Sequence, residues 1–141
     1  MSESQSDCIF CQIMAGNIPS TKVYEDDDTY AFMDIAPATE GHVLVVPKVH
    51  AKDLLEIDPE SLAAVARTAQ KVAGRVVETL GADGVSLINS CGAAAWQTVF
   101  HLHMHVIPRY IDKAKDTMQL PWVPRQGDLD AIRATGEKLA F

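Results

Sequence analysis

The clearest repeat of hydrophobic and polar positions lies between residues 58 and 81 and predicts one long helix. Its apolar residues recur every three or four positions, which is the spacing of one helical face. Asp58 is suited to cap the first turn, Pro59 to occupy its first position and Gly81 to end the helix. The residues of the predicted buried face are Leu62, Val65, Ala66, Ala69, Val72, Ala73, Val76, Val77 and Leu80.

Shorter apolar runs predict strands on which this helix packs. The segments "TKVYE" and "TYAFMDI" flank the acidic "DDD" and predict a hairpin. Three further strands are predicted over "HVLVVP", "GVSLIN" and "TVFHLHMHVIP". A mostly antiparallel sheet of about five strands follows, in line with usual sheet sizes.

Two short helices complete the prediction. "CIFCQIMAG" reads as a helix that Gly16 ends, and a second short helix is predicted near 128–139. Together with the strands, these elements predict an α+β domain. A length of 141 residues suits a single domain that spans 1–141.

Charge and composition exclude some classes of function. A net charge of -7 argues against a general nucleic-acid binder, although a nucleotide needs only a few local donors. No apolar run approaches the ~18 residues of a membrane helix, and "MSESQSDC" lacks the features of a signal peptide. We therefore expect a cytoplasmic protein with no membrane or nucleic-acid partner.

Three of the five histidines stand at alternate positions of the last predicted strand: His101, His103 and His105. Residues two apart share one face of a strand, so the rings are predicted to point the same way. A single histidine in a strand is usually a buried, hydrogen-bonded side chain. Three together are costly to bury without partners, which favours either a transition-metal site or nucleophilic and acid–base chemistry.

Other polar residues suggest a second site and possible helpers. Cys8 and Cys11 form a Cys-x-x-Cys pair, which two histidines would complete as a zinc site, although two buried apolar thiols are the alternative. Gln97, Thr98 and Asn89 are placed to contact an anion over the histidine row, with turn and edge roles as the alternative. No P-loop or dinucleotide motif occurs.

The stretch "HLHMHVI" fits the pattern His-φ-His-φ-His-φ-φ, where φ is apolar. With "CIFCQIMAGNIPSTKVYED" and "AFMDIAPATEGHVLVVPKVH" before it, the chain resembles the histidine triad (HIT) superfamily, and most closely its bacterial Hint-like branch. The match runs from about residue 8 to 110, and the tail over 111–141 is not clearly matched.

The resemblance implies a HIT-like fold, in which a five-stranded antiparallel sheet is paired across a homodimer into a ten-stranded sheet. It implies a hydrolase or transferase acting at the α-phosphate of purine nucleoside phosphoramidates or related AMP- or GMP-like conjugates. The reaction would pass through a covalent nucleotidyl-histidine, which splits one hard displacement into two easier ones. No catalytic metal or organic cofactor is expected.

The same resemblance assigns roles to individual residues. His103 would be the nucleophile, and His105 and the nearby backbone would hold its ring in the tautomer that presents Nε2. His42 would line the pocket, and Thr98 would donate to the leaving atom. The implied nucleotide-binding residues are Asp34 on the ribose hydroxyls, Phe10, Ile18, Phe32 and Ile35 around the base, and Asn89, Gln97 and Val99 near the phosphate. For the four apolar residues, an ordinary core role is the alternative.

Relatives that keep the Cys-x-x-Cys pair imply a zinc site as well. Its ligands here would be Cys8, Cys11, His50 and His101. Four protein ligands close the coordination sphere, so the resemblance implies a structural rather than a catalytic zinc.

One position departs from the family pattern. Trp96 stands where Hint-like members usually have glycine, and the loop after Asn89 is one residue longer. An indole there would crowd the leaving-group side or stack on it. Trp122, in the tail, is a candidate contact to the partner subunit's site.

Three other functions stay open at this stage. A diadenosine polyphosphate hydrolase or phosphorylase would use the same histidine with a roomier leaving-group side. A nucleotide-binding interaction protein would show only incidental hydrolysis. A metalloenzyme would use the histidine row to bind zinc and an activated water.

Overall fold

The computed structural model describes residues 7–119 and 122–141. Within them, five strands form a single antiparallel sheet in the order β1-β2-β3-β5-β4, which confirms the predicted sheet. The strands are β1 (Lys22–Glu25), β2 (Thr29–Met33), β3 (Val43–Pro47), β4 (Gly84–Ile88) and β5 (Met104–Arg109). The helices are α1 (Ile9–Met14), α2 (Pro59–Leu80) and α3 (Leu129–Leu139).

Helix α2 begins and ends as predicted. The Asp58 side chain accepts a hydrogen bond from the backbone N–H of Ser61 at 2.9 Å, which caps the first turn. Gly81 takes a left-handed conformation with φ 68°, and its N–H bonds the Val77 carbonyl, which ends the helix.

The buried face of α2 is narrower than predicted. Ala66, Val77 and Leu80 are exposed, whereas Ala64 and Thr68 are buried. The sheet contacts only a stripe centred on Val65, Ala69, Val72 and Val76, so apolar residues at its margins remain in solvent. The buried Thr68 hydroxyl lies 2.7 Å from that of Thr29 on β2, which removes the cost of burying either group alone.

Strand β5 begins later than predicted, at Met104, so His101 and His103 precede it. The β3–β5 pairing ends with Val45 opposite Met104, and its continuation would bring Leu102 opposite Pro47. Pro47 has no N–H to donate, and the Leu102 N–H bonds the Ala51 carbonyl instead, at 2.8 Å. The strand prediction for 98–103 was therefore wrong.

The alternation of side chains nevertheless continues through this segment. Leu102 and Val106 are fully buried in the core under α2, together with Val43, Val45 and the α2 stripe. The opposite face carries a second cluster beneath α1: Phe10, Ile13, Tyr30, Phe32, Leu44 and Val46. Helix α1 therefore covers the sheet face on which the histidines lie. No helix in the described part of the chain is long and apolar enough to cross a membrane.

Candidate active site and metal site

A backbone hydrogen bond fixes the tautomer of His103. Its Nδ1 lies 2.8 Å from the carbonyl oxygen of His101, which can only accept, so Nδ1 carries the proton. Burial lowers the pKa of His103, so the ring is neutral near pH 7. The lone pair is therefore on Nε2, which gives His103 a nucleophilic nitrogen.

A chain of hydrogen bonds fixes His42 and His105 in the same way. The Ala38 N–H donates to Nδ1 of His42 at 3.0 Å, so the proton of His42 is on Nε2. That Nε2 lies 2.9 Å from Nδ1 of His105, which therefore accepts and keeps its own proton on Nε2. Burial, then the neighbouring His103 and His42, lower the pKa of His105 to about 4.

The His103 and His105 rings lie 5.1 Å apart at one end of a cavity of about 390 Å³. Most of the predicted nucleotide-binding residues line this cavity. Phe10 and Phe32 are buried and pack edge to face, and Ile35 is 98% exposed at the mouth. Other lining residues are Ile18, Asp34, Thr98 and Val99.

The Asp34 carboxylate is held in place at the cavity wall. Its Oδ1 accepts from the Ala36 N–H at 2.8 Å, and its Oδ2 lies 3.4 Å from Nε2 of His42. Each carboxylate oxygen has room for a second donor. Asp34 therefore keeps acceptor capacity towards the cavity while its orientation is fixed.

Asn89 and Gln97 contact the backbone around the site and do not line the cavity. Asn89 Nδ2 donates to the His103 carbonyl at 2.9 Å. The buried Gln97 amide accepts from the N–H of Gly92 at 2.7 Å and donates to the carbonyls of Lys52 and Val99 at 2.8 and 3.0 Å. Both side chains thus hold the loop that leads into the histidine segment.

Two cysteines and two histidines converge beside this site. The ligand atoms of Cys8, Cys11, His50 and His101 all lie within 4.8 Å of one another. Nδ1 of His101 is 3.3 Å from Cys8 Sγ, 3.5 Å from Cys11 Sγ and 3.2 Å from Nδ1 of His50. Nε2 of His101 donates to the Pro47 carbonyl at 2.9 Å, which leaves Nδ1 free to bind a metal ion.

Burial also determines the protonation state of one thiol in this cluster. Burial, and then the neighbouring Cys8, raise the pKa of Cys11 to about 12. A thiolate at this position therefore needs a positive charge close by. The residues present fit a metal ion bound through two sulfurs and two nitrogens.

Comparison with known proteins places this arrangement in a family. The HIT domain family model matches residues 15–112. The chain belongs to the HIT family. The crystal structure of SMU.412c from Streptococcus mutans is similar to this HIT protein, with a TM-score of 0.90, 40% identity, and coverage of 99% of this chain and 87% of that one.

Two further relatives bear on chemistry. A Zn-bound histidine triad family protein from Mycobacterium smegmatis is 35% identical, with a TM-score of 0.75, and the match covers 96% of this chain and 99% of that one. The Arabidopsis thaliana adenylylsulfatase HINT3 is 40% identical over 105 residues, which cover 74% of this chain and 53% of that protein.

The resemblance implied that nearby backbone orients His103, but sequence reasoning did not identify the backbone groups that set the tautomers in this HIT protein. They are the Ala38 N–H and the carbonyls of Pro47 and His101. No side-chain pattern reports them, because every residue carries a carbonyl and only the fold decides which ring it meets. Sequence reasoning also missed a second cavity next to His105.

Proposed function

We propose that the protein hydrolyses nucleotide conjugates, above all nucleoside phosphoramidates, by attack of His103 on the α-phosphorus. The observation that carries this proposal is the neutral His103 ring, with its proton held on Nδ1 at 2.8 Å from the His101 carbonyl. The free Nε2 belongs to a residue that lines a cavity of about 390 Å³, within the usual size range of ligand pockets.

The cavity lining supports a placement for the nucleotide. The base, a purine in this proposal, lies among Phe10, Ile18, Phe32 and Ile35, and the Asp34 carboxylate binds the ribose hydroxyls. The α-phosphate then lies at the histidine end, where the Nε2–H of His105 is a donor to its oxygens. Asn89 and Gln97 act on this geometry through the backbone that they hold.

The chemistry has two steps in this proposal. The Nε2 lone pair of His103 forms a bond to phosphorus, and the bond from phosphorus to the leaving atom breaks. The leaving atom takes that electron pair and a proton, which the exposed Thr98 hydroxyl passes on from solvent. Water then attacks phosphorus and releases a proton to solvent, the histidine–phosphorus bond breaks, its electron pair returns to Nε2, and the nucleoside monophosphate is released.

We propose zinc as the ion of the cysteine–histidine cluster. Zinc binds sulfur at ~2.3 Å and nitrogen at ~2.0 Å, so a tetrahedral site separates S from N by about 3.5 Å and N from N by about 3.3 Å. The S–N distances of 3.3, 3.5 and 3.5 Å and the N–N distance of 3.2 Å match those edges. With four protein ligands this zinc is structural, and it joins α1 to the segment that carries His103.

We also propose a homodimer in which two β4 strands pair to extend the sheet to ten strands. The outer strands of the sheet are β1 and β4. Strand β1 has a β-bulge between Lys22 and Tyr24 and charged residues at both ends, features that oppose edge pairing. Strand β4 pairs regularly with β5 and exposes Leu87, which favours the β4 edge as the interface.

Similarity to an adenylylsulfatase favours a second substrate of the same class. Adenylyl sulfate also joins a leaving group to the α-phosphorus of AMP, so the same attack by His103 would release sulfate. A substrate panel with adenosine 5′-phosphoramidate and adenylyl sulfate separates the two activities.

Trapping of the covalent intermediate tests the proposal. The protein is mixed with adenosine 5′-phosphoramidate, quenched in base within milliseconds, and weighed intact by mass spectrometry. We expect a mass gain of one adenylyl group in the wild type and none in His103→Ala. Consumption of substrate with no adduct at any quench time would overturn the covalent route. The absence of both adduct and consumption would favour a nucleotide-binding interaction protein.

A further inference from the structure

A second cavity, of about 460 Å³, lies beside the proposed nucleotide cavity. His105 lines both cavities, and its partner His42 lines the second. The remaining wall is largely apolar and consists of Ile88, Ser90, Trp96, Ile107, Met118 and Gln119. A ligand that fills the first cavity and extends past His105 therefore enters a second, largely apolar cavity.

Trp96 is the unusual residue of this wall. Its φ is 74°, and it is the one non-glycine residue with a positive φ among residues 7–119 and 122–141. This conformation is strained for a bulky side chain, at a cost on the order of 1–3 kcal/mol. The indole is 78% exposed, so core burial does not offset that strain. The indole does, however, line the second cavity.

An ion pair with a buried carboxylate ties part of this wall to β5. The Asp116 carboxylate is 2.7 Å from Nε of Arg109 on β5, and it accepts from the Met118 N–H at 3.0 Å. The backbone of Met118, which lines the same cavity as Trp96, is thereby tied to β5.

We propose that the second cavity binds the leaving group, and that Trp96 makes the protein select conjugates whose leaving group carries an aromatic ring. This inference rests on the proposed function above. Once the nucleoside occupies the first cavity and phosphorus lies at His103, the second cavity is the adjoining space, because His105 lines both cavities and His42 lines the second. This space is bordered by Ile88, Ile107, Met118 and the indole face.

The charges around this cavity make a neutral leaving group a better ligand than an anionic one, so adenylyl sulfate is expected to be a poorer substrate than a conjugate with a neutral aromatic leaving group. No Lys or Arg occurs among the described residues that line it. The two imidazoles on its wall stay neutral, because burial lowers the pKa of both His42 and His105. The chain as a whole carries a net charge of -7. A polyphosphate chain or a sulfate would therefore meet no cation, whereas a neutral aromatic ring gains stacking and apolar contact.

The leaving-group preference tests this assignment. Adenosine 5′-phosphoramidates of benzylamine and of methylamine are compared by kcat/KM. Both give the same adenylyl-histidine, so a difference in the leaving group is carried by kcat/KM and not by breakdown of the intermediate. We expect the benzyl-over-methyl preference of the wild type to exceed that of Trp96→Gly by about three- to tenfold.

Two further variants control this comparison. Trp96→Phe keeps a ring and should recover part of the preference. Leu55→Ala removes a similarly exposed apolar side chain that lines neither cavity and should keep the wild-type preference. Glycine suits the φ of position 96, so Trp96→Gly should melt at or above the wild-type temperature.

The possible failures are distinguishable. An equal preference in wild type and Trp96→Gly, with normal adduct formation, overturns the role of Trp96 alone. A stronger benzyl preference in Trp96→Gly overturns it too, because the indole would then be excluding the ring. If the wild type forms no adduct and hydrolyses neither conjugate, the proposed function fails and the leaving-group site fails with it.

Discussion

The nucleophilic role proposed for His103 depends on one carbonyl group. The His101 oxygen holds the proton of His103 on Nδ1, and the alternative tautomer would put the lone pair towards the backbone. A nucleophile arranged in this way needs no general base, since the attacking nitrogen is already deprotonated. A substitution at His103 should therefore remove the chemical step while leaving nucleotide binding largely in place.

We expect His103→Ala to lower turnover of adenosine 5′-phosphoramidate by at least about a thousandfold, because the covalent step has no other nucleophile. AMP binding should weaken by less than tenfold, since the base and ribose contacts lie elsewhere in the cavity. Discontinuous product assays measure the turnover, and calorimetric titration with AMP measures the binding. Parallel loss of binding and turnover would contradict a purely nucleophilic role.

The folded state keeps His105 neutral, and this has a consequence for acid stability. Its pKa is lowered from 6.5 to about 4, so between those values the unfolded chain binds more protons than the folded one. The stability that depends on neutral His105 is complete above pH 6.5 and declines as the pH falls towards 4. The groups that face this ring are His42, His103 and, more distantly, Asp34.

We expect the free energy of unfolding to fall less steeply with decreasing pH in His105→Phe than in the wild type. The difference in slope should correspond to up to about one bound proton. Urea unfolding at several pH values between 7.5 and 4 measures how the free energy of unfolding depends on pH in both proteins, each loaded with metal. The metal ligands are the same in the two proteins, so their protonation cancels in the difference. Identical slopes would show that His105 is not kept neutral by the fold.

At the scale of elements, the metal cluster links parts of the fold that the sequence separates widely. Cys8 and Cys11 belong to α1 and its cap, His50 follows β3, and His101 precedes β5. A bound ion would therefore hold α1 against the sheet and fix the start of the segment that carries His103. Loss of the ion should lower the stability of the fold more than it lowers the rate of the chemical step.

We expect Cys8→Ala to lower the melting temperature and the zinc content markedly while changing the adenylylation rate of the folded, loaded fraction only little. Cys91→Ala is the matched control, because Cys91 is also a half-buried free thiol but lies outside the cluster. Thermal melts, metal analysis and single-turnover kinetics provide the readouts. Equal stability in the two variants would exclude a structural zinc at Cys8.

The elements were predictable where a local signal determines them. The caps of α2 and the β1–β2 hairpin followed from Asp58, Gly81 and the acidic turn. The start of β5 was not predictable, because Pro47 cannot continue the hydrogen bonds between β3 and β5. Only the strand register brings Pro47 opposite Leu102. The width of the buried face of α2 also depends on the sheet beneath it, so Thr68 could not be recognised as a core residue. For the site, the residue types were predictable from the sequence, but the hydrogen bonds that set each tautomer were not.

On the scale of the whole molecule, the sheet has two outer strands with different chemistry. Strand β1 is bulged and charged, and β4 is regular with an apolar side chain half in solvent. A two-fold partner is therefore expected on the β4 side, where pairing would extend the sheet and cover Leu87.

We expect Leu87→Lys to convert the dimer to a monomer, because the two-fold axis would bring two like charges together in the interface. Val23→Lys on β1 is the control, since Val23 is similarly exposed on the opposite edge, and it should leave the dimer intact. Sedimentation velocity distinguishes the two states. Dissociation caused by the β1 variant instead would move the interface to the other edge.

The positive φ of Trp96 has a genetic consequence. The only tryptophan codon is TGG, and one base change turns it into the glycine codon GGG. The backbone at position 96 is already in the region that glycine prefers, so this substitution requires no refolding of the loop. A single mutational step thus exchanges a strained, ring-bearing wall for an unstrained, open one, and selection on different conjugates can move the protein between the two without passing through a misfolded intermediate.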